Sequence, residues 1–345
     1  MPAKRTLLTI HRWCGLAACL WVVLQALTGS ALLFRPELER SLEPATMVRR
    51  TAAGQAPLSA VFQSLRTAFP TYQTQRIVWP QKPDDVYFAH MANSQGEALY
   101  ASVDPGDGKI LKSGGLWSFP MEALLAIHLR LLTGKVGLAV VFLGALSILA
   151  QAASGWAYWA PKKGRVWNAT KINWKLPPRI VLRHLHRTGG LVVSLIAATS
   201  AVTGGLVAAE YLWEPGPLTS TSPSHGAATA VAGVDQAFAA ARVAHPAGGL
   251  RDIRMPQPGA LNACFWAPQR SALAVDIVKT RLPEARVASV RPAADDHSLW
   301  VTFLPIHTGE VFGLAGRLIL LVGGIGLAAL AVTGPIMWLQ KKAKP

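Results

Sequence analysis

Four stretches of this chain, Leu16–Phe34, Gly137–Ala160, Gly189–Ala209 and Leu318–Gln340, are apolar and contain neither an acid nor a base. A helix needs about 20 apolar residues to cross the roughly 30 Å hydrocarbon core of a bilayer. Inside lipid the backbone must satisfy its own hydrogen bonds, which selects helix for each stretch. The expected fold class is an integral membrane α-helical protein with four transmembrane helices. A composition of 51% hydrophobic and only 15% charged residues agrees, being too apolar for an ordinary soluble domain.

The net charge of +16 could suggest nucleic acid, but its distribution argues against that. Segments 1–15, 161–188 and 341–345 carry Lys and Arg and no acid, while all 18 acidic residues lie in the other two inter-helix segments. By the positive-inside rule the N and C termini are cytoplasmic. The basic loop is then expected against anionic lipid headgroups, and no nucleic-acid partner is expected. The first helix is expected to stay uncleaved, because its apolar run exceeds a signal-peptide core and His11-Arg12 stands at its mouth.

The chain repeats itself. His11-Arg12, Gly15-Leu16 and Thr28-Gly29 recur about 175 positions later as His186-Arg187, Gly190-Leu191 and Thr203-Gly204. Ile127-His128, Ser154-Gly155 and Trp159 recur about 179 positions later as Ile306-His307, Thr333-Gly334 and Trp338. Each half runs in, out and back, so the helices form two tandem parallel repeats about an axis along the membrane normal. The outer segments echo more weakly: Pro70, Ile77 and Pro80 against Pro246, Ile253 and Pro256. Each starts with a helical stretch and continues into alternating strands, giving two small α+β outer domains. The resulting plan places the helices within 1–36, 121–161, 184–213 and 306–345. The outer domains occupy 37–120 and 214–305, and a basic cytoplasmic loop occupies 162–183.

Under this symmetry His11 faces His186 near the inner surface and His128 faces His307 near the outer one. Each couple could clamp a haem, whose porphyrin leaves two axial positions for neutral imidazoles. Arg12, Arg187 and Arg317, with Arg130 and Lys135, could pair with haem propionates. The rival readings are anchoring histidines at helix ends and a bare zinc or copper site. The latter would need Cys14 or Glu310 as a further ligand, and neither is repeated. His184 is the fallback for His186, and Trp21 is expected in core packing. Covalent c-type haem is excluded, since no C-x-x-C-H occurs. His90, His225, His245 and His297 are expected on outer surfaces, with His90 the one that could meet a substrate.

One length is awkward. His128 lies 34 residues before Lys162, about 50 Å if wholly helical. A break is expected at Thr133-Gly134.

The motifs His11-Arg12-x-x-Gly15-Leu16, His186-Arg187-x-x-Gly190-Leu191 and His307-Thr308-Gly309-x-x-Phe312-Gly313-x-x-Gly316-Arg317 resemble the PepSY-associated transmembrane (iron-regulated membrane protein) family over nearly the whole chain. The resemblance implies PepSY-like outer domains in the periplasm and a bacterial inner-membrane location. It also implies two b-type haems that pass electrons to a periplasmic ferric siderophore or other ferric complex. His11, His186, His128 and His307 would be the axial ligands. Some relatives carry a fused reductase module, for which this chain has no room between its second and third helices. The donor would therefore be a separate cytoplasmic reductase or a quinol. Two other functions compete: a non-enzymatic PepSY module that binds peptides or envelope partners, and a metal or siderophore transporter. Transport is weakened by the absence of ionisable residues inside the spans.

Overall fold

The computed structural model describes residues 2–52, 54–159, 170–213 and 232–342. It divides into two compact units. One comprises Met1–Phe34, Leu124–Glu214 and Thr302–Pro345, and the other Arg35–Ala123 and Pro215–Val301.

The first unit is helical. Helices α1 (Pro2–Leu32), α6 (Gly134–Trp159), α7 (Pro178–Trp213) and α10 (Gly313–Lys342) contain the four candidate spans. Each of α1 and α7 packs against both α6 and α10, so α1 and α7 stand on opposite corners of a four-helix arrangement. Its outer surface is apolar, with Leu20, Leu143, Val192 and Ile319 exposed, as a lipid-facing helix requires. Two short helices precede spans: α5 (Pro120–Arg130) before α6 and α9 (Leu299–His307) before α10.

The expected break before α6 is present. Leu131, Leu132 and Gly134 take positive φ values of 47°, 61° and 62° and turn the chain between α5 and α6. A matching break separates α9 from α10, where Gly309 (φ 76°) and Gly313 (φ 56°) adopt conformations that L side chains rarely accept. Gly316 then packs directly on the Gly309 backbone. These contacts explain the glycine spacing of the motif that begins at His307.

The second unit is a single antiparallel sheet of eight strands in the order β4-β3-β2-β1-β5-β6-β7-β8. Strands β1 (Tyr72–Val78), β2 (Tyr87–Asn93), β3 (Ala98–Val103) and β4 (Ile110–Gly114) form one meander. Strands β5 (Leu250–Arg254), β6 (Ala260–Trp266), β7 (Val275–Arg281) and β8 (Arg286–Arg291) form the other. They join where β1 pairs with β5, Ile77 standing opposite Ile253. The sequence reading treats the two outer segments as separate small domains; in the structure they share one sheet and one core. The reason is physical: a lone four-stranded meander leaves two edges of unpaired backbone groups, and pairing β1 with β5 covers one edge of each, so that only β4 and β8 remain at the edges.

Strand alternation divides the two faces. Helices α4 (Leu58–Ala68) and α8 (Val234–Ala244) bury Val61, Phe62, Leu65, Ala237 and Ala241 with Ile77 and Ile253. Asp235 of α8 accepts hydrogen bonds from the Ser59 backbone N–H (3.0 Å) and hydroxyl at the start of α4, which ties the two halves together. The neighbouring positions Arg76, Asp252 and Arg254 do not join this apolar core. Asp252 is fully buried and bound by Arg76 (2.9 Å), Arg251 (2.8 Å) and Arg254 (2.7 Å). Burial alone would push its carboxyl up, but the three guanidiniums hold it far below the ordinary carboxylate range.

The linker Pro215–Gly226, His225 and the stretch 162–169 of the basic loop lie outside the described residues.

Candidate functional site

The breaks before α6 and α10 place His128 and His307 in the last turns of α5 and α9. Their ring centres lie 6.2 Å apart, with the planes inclined by 41°. Two imidazoles that share one metal at about 2 Å each have ring centres about 6 Å apart. The His128–His307 couple therefore stands at the spacing that two imidazoles on one metal would need. His11 of α1 and His186 of α7, the other pair expected from the sequence, lie within electrostatic reach of each other.

Each of the four rings is seated on a hydroxyl–glycine step of another helix. His11 Nδ1 lies 3.1 Å from Ser154 Oγ and 3.2 Å from the Gln151 carbonyl on α6. His128 Nδ1 lies 3.0 Å from Thr28 Oγ1 on α1. His186 Nδ1 lies 2.7 Å from Thr333 Oγ1 on α10. His307 Nδ1 lies 3.0 Å from the Ser200 carbonyl and 3.4 Å from Thr203 Oγ1 on α7. The adjoining glycines make room for the rings. A Cβ on Gly29 would come within 2.9 Å of His128, on Gly204 within 2.6 Å of His307, and on Gly155 within 3.3 Å of His11. At Gly334 the His186 ring is 3.7 Å away.

The donor set suits a cofactor that brings most of its own ligands. No group of three or more His, Cys, Asp or Glu side chains that could hold a bare metal ion occurs among the described residues. Thus neither Cys14 nor Glu310 completes a zinc or copper site with the histidines. His186, not His184, carries the contact to Thr333, and the Nδ1 of His184 is buried without a hydrogen-bond partner.

The flanking cations have different positions. Arg12 buries an Nε with no hydrogen-bond partner and lays its guanidinium 5.6 Å from the centre of Trp13. Such an orphaned donor beside His11 fits a carboxylate of a bound cofactor. Arg187 is exposed. Arg317 donates from Nε to the Leu33 carbonyl (2.7 Å) and stacks 4.4 Å from Phe34, so it fastens the start of α10 to the end of α1. Trp21 packs on Gly144 of α6, the core role expected of it, and Ile196 packs in the same way on Gly323.

Two histidines of the sheet unit differ from expectation. His90 is not a solvated surface residue: it packs against Phe88 and Tyr100 beside Glu122, and burial lowers its pKa to about 4. His245 is half-buried on Phe265, with Nε2 2.9 Å from Asp276. His297 is exposed, as expected.

What sequence reasoning missed is the role of the four hydroxyl–glycine steps. They are visible in the sequence as Thr28-Gly29, Ser154-Gly155, Thr203-Gly204 and Thr333-Gly334 at the two repeat offsets. Nothing in the linear pattern says which ring each one meets.

Four apolar helices long enough to cross a bilayer, together with an α+β unit, define an integral membrane protein. A family model described as the PepSY-associated TM region matches residues 8–341. The chain belongs to the PepSY-associated transmembrane family. No curated protein matches it.

Proposed function

We propose that this protein moves electrons across the bacterial inner membrane on two b-type haems and reduces a ferric complex, a ferric siderophore being the substrate class. The observation that carries this reading is the 6.2 Å spacing of the His128 and His307 rings. His11 and His186 would hold one haem, and His128 and His307 the other. When bound, the haems supply one-electron carriers with both axial positions filled by protein, which favours electron transfer over O₂ chemistry.

The chain's own part is to hold and insulate. Four helices with apolar exteriors keep water and charge away from the histidine couples. We read the helices as two tandem parallel repeats, supported by equivalent contacts at equivalent positions: His11 on Gly155 with His186 on Gly334, and His128 on Gly29 with His307 on Gly204. The basic segments 1–15 and 161–188 support cytoplasmic termini, a sheet unit in the periplasm and lipid-headgroup contact. A separate acidic cytoplasmic reductase or a membrane quinol is the donor. Reduction of Fe(III) to Fe(II) takes one electron and loosens the grip of hard oxygen ligands, which releases iron. Arg12 is the candidate for holding a haem carboxylate.

Haem quantification by pyridine hemochromogen on the purified membrane protein tests the reading. Two haems per chain are expected, with a Soret band that shifts on dithionite. His128→Ala or His307→Ala should each remove about half of the haem, since one of two sites is lost. A wild-type protein without haem rejects the reading, and full occupancy in both variants rejects the outer site.

A further inference from the structure

Each histidine contact described above lies within one repeat, whereas each histidine couple is formed between repeats. His11 on α1 reaches Ser154 on α6, and His128, leading into α6, reaches back to Thr28 on α1. The same exchange links His186 to Thr333 and His307 to Thr203. Every repeat thus supplies hydroxyl contacts to its own two rings.

The hydrogen bonding also fixes the proton. Thr28 Oγ1 donates to the Leu24 carbonyl (2.7 Å), Ser154 Oγ to Ala150 (2.7 Å), Thr203 Oγ1 to Thr199 (2.8 Å) and Thr333 Oγ1 to Leu330 (3.2 Å). A hydroxyl that has given its one proton to a backbone carbonyl can only accept from the imidazole. At His11 and His307 a carbonyl, Gln151 or Ser200, lies against Nδ1 as well, and a carbonyl can only accept. At His11 and His307 the proton therefore sits on Nδ1 and the lone pair on Nε2, and at His128 and His186 a hydroxyl bonded to its own helix carbonyl calls for the same arrangement. The hydroxyl and carbonyl contacts of these rings described above run through Nδ1. That leaves Nε2 as the ligating atom.

We infer that Thr28, Ser154, Thr203 and Thr333 are positioning residues that lock the tautomer and orientation of the four ligand histidines and tune the iron they serve. The inference rests on the haem reading above. An Nδ1–H that is held by an acceptor makes its imidazole a stronger electron donor, which favours the ferric state. Removing the acceptor should raise the potential of the haem served and weaken its binding by about 10- to 100-fold.

The test is a spectroelectrochemical titration of the full-length protein, with haem content measured in parallel. Thr28→Val should raise the potential of only one of the two haems, and Thr28→Ser should restore it. Thr333→Val, which removes the hydroxyl against His186, should shift only the other haem. Loss of haem from Thr28→Val together with retention in Thr28→Ser also supports the assignment, because the hydroxyl is then the only difference that matters. Two haems at unchanged potentials in both Thr28→Val and Thr333→Val overturn the positioning role and leave the haem reading intact. A wild-type protein that lacks haem overturns both.

Discussion

The helical unit and the sheet unit bury polar groups by opposite rules. In the helical unit the exterior is apolar and the buried polar side chains are neutral: Gln25, Thr28, Ser154 and Thr203. Their hydroxyls are satisfied along their own helices and by imidazoles. In the sheet unit the apolar residues form the core, and one face holds a buried carboxylate among three guanidiniums. The contrast shows what each setting tolerates. At membrane depth a small neutral donor–acceptor pair beside a glycine is inexpensive to hold, whereas a charge is not. Away from lipid a full charge can be buried if it is ringed by partners.

The largest expected effect breaks that second rule. Asp252→Ala leaves Arg76, Arg251 and Arg254 mutually repelling on the sheet and should destabilise it by about 3–5 kcal/mol. Denaturation in detergent micelles, followed by tryptophan fluorescence, measures this. A change below about 1 kcal/mol would mean that the cluster is already well solvated.

Next comes pH. Burial depresses the pKa of His90 from 6.5 to about 4, so the folded sheet disfavours its cation. Its contribution is complete above pH 6.5 and declines as pH falls towards 4, by about 3 kcal/mol at about 1.4 kcal/mol per unit. Asp252 adds a further loss below about pH 4, where the unfolded carboxylate begins to protonate. In His90→Asn the first decline should disappear and the second remain. An unchanged slope between pH 6.5 and 4 would assign the decline to another group.

A smaller effect probes the helical unit, where the glycines act as receptacles. In Gly144→Ala the new Cβ meets the rigid Trp21 ring and should cost about 1–3 kcal/mol by overpacking. Gly189→Ala faces open space and should stay within about 1 kcal/mol of wild type, on the stabilising side from helix propensity. Equal melting shifts for the two variants would show that packing against Trp21 does not govern this helix pair.

Much of the helical unit was legible beforehand. The four apolar runs fall within the observed helices, apart from terminal residues such as Phe34 and the undescribed Ala160. The excess length before the second span forced the break seen at Leu131–Gly134. The candidate ligands stood out because they recur in the sequence at fixed offsets. Less was legible in the sheet unit, where short alternating strands reveal their faces but not their neighbours. Two segments of a helix followed by alternating strands were visible there; the β1–β5 pairing that unites them was not. Arg317 illustrates the same limit: its place in the motif suggested a cofactor contact, yet its Nε is committed to the Leu33 carbonyl.

By itself the sequence determined how many apolar spans the chain has, where it must turn, and which histidines recur at equal offsets. Those are properties of hydrophobic length, backbone conformation and repeat offset, all written along one dimension. Only the tertiary structure decided which hydroxyl meets which ring, that His128 and His307 stand close enough to share a metal, and that two half-sheets become one. These depend on side chains 100 or more positions apart meeting within a few ångströms, as His128 meets Thr28 and His11 meets Gln151. No local pattern encodes such a meeting, because packing selects it from many sterically possible partners.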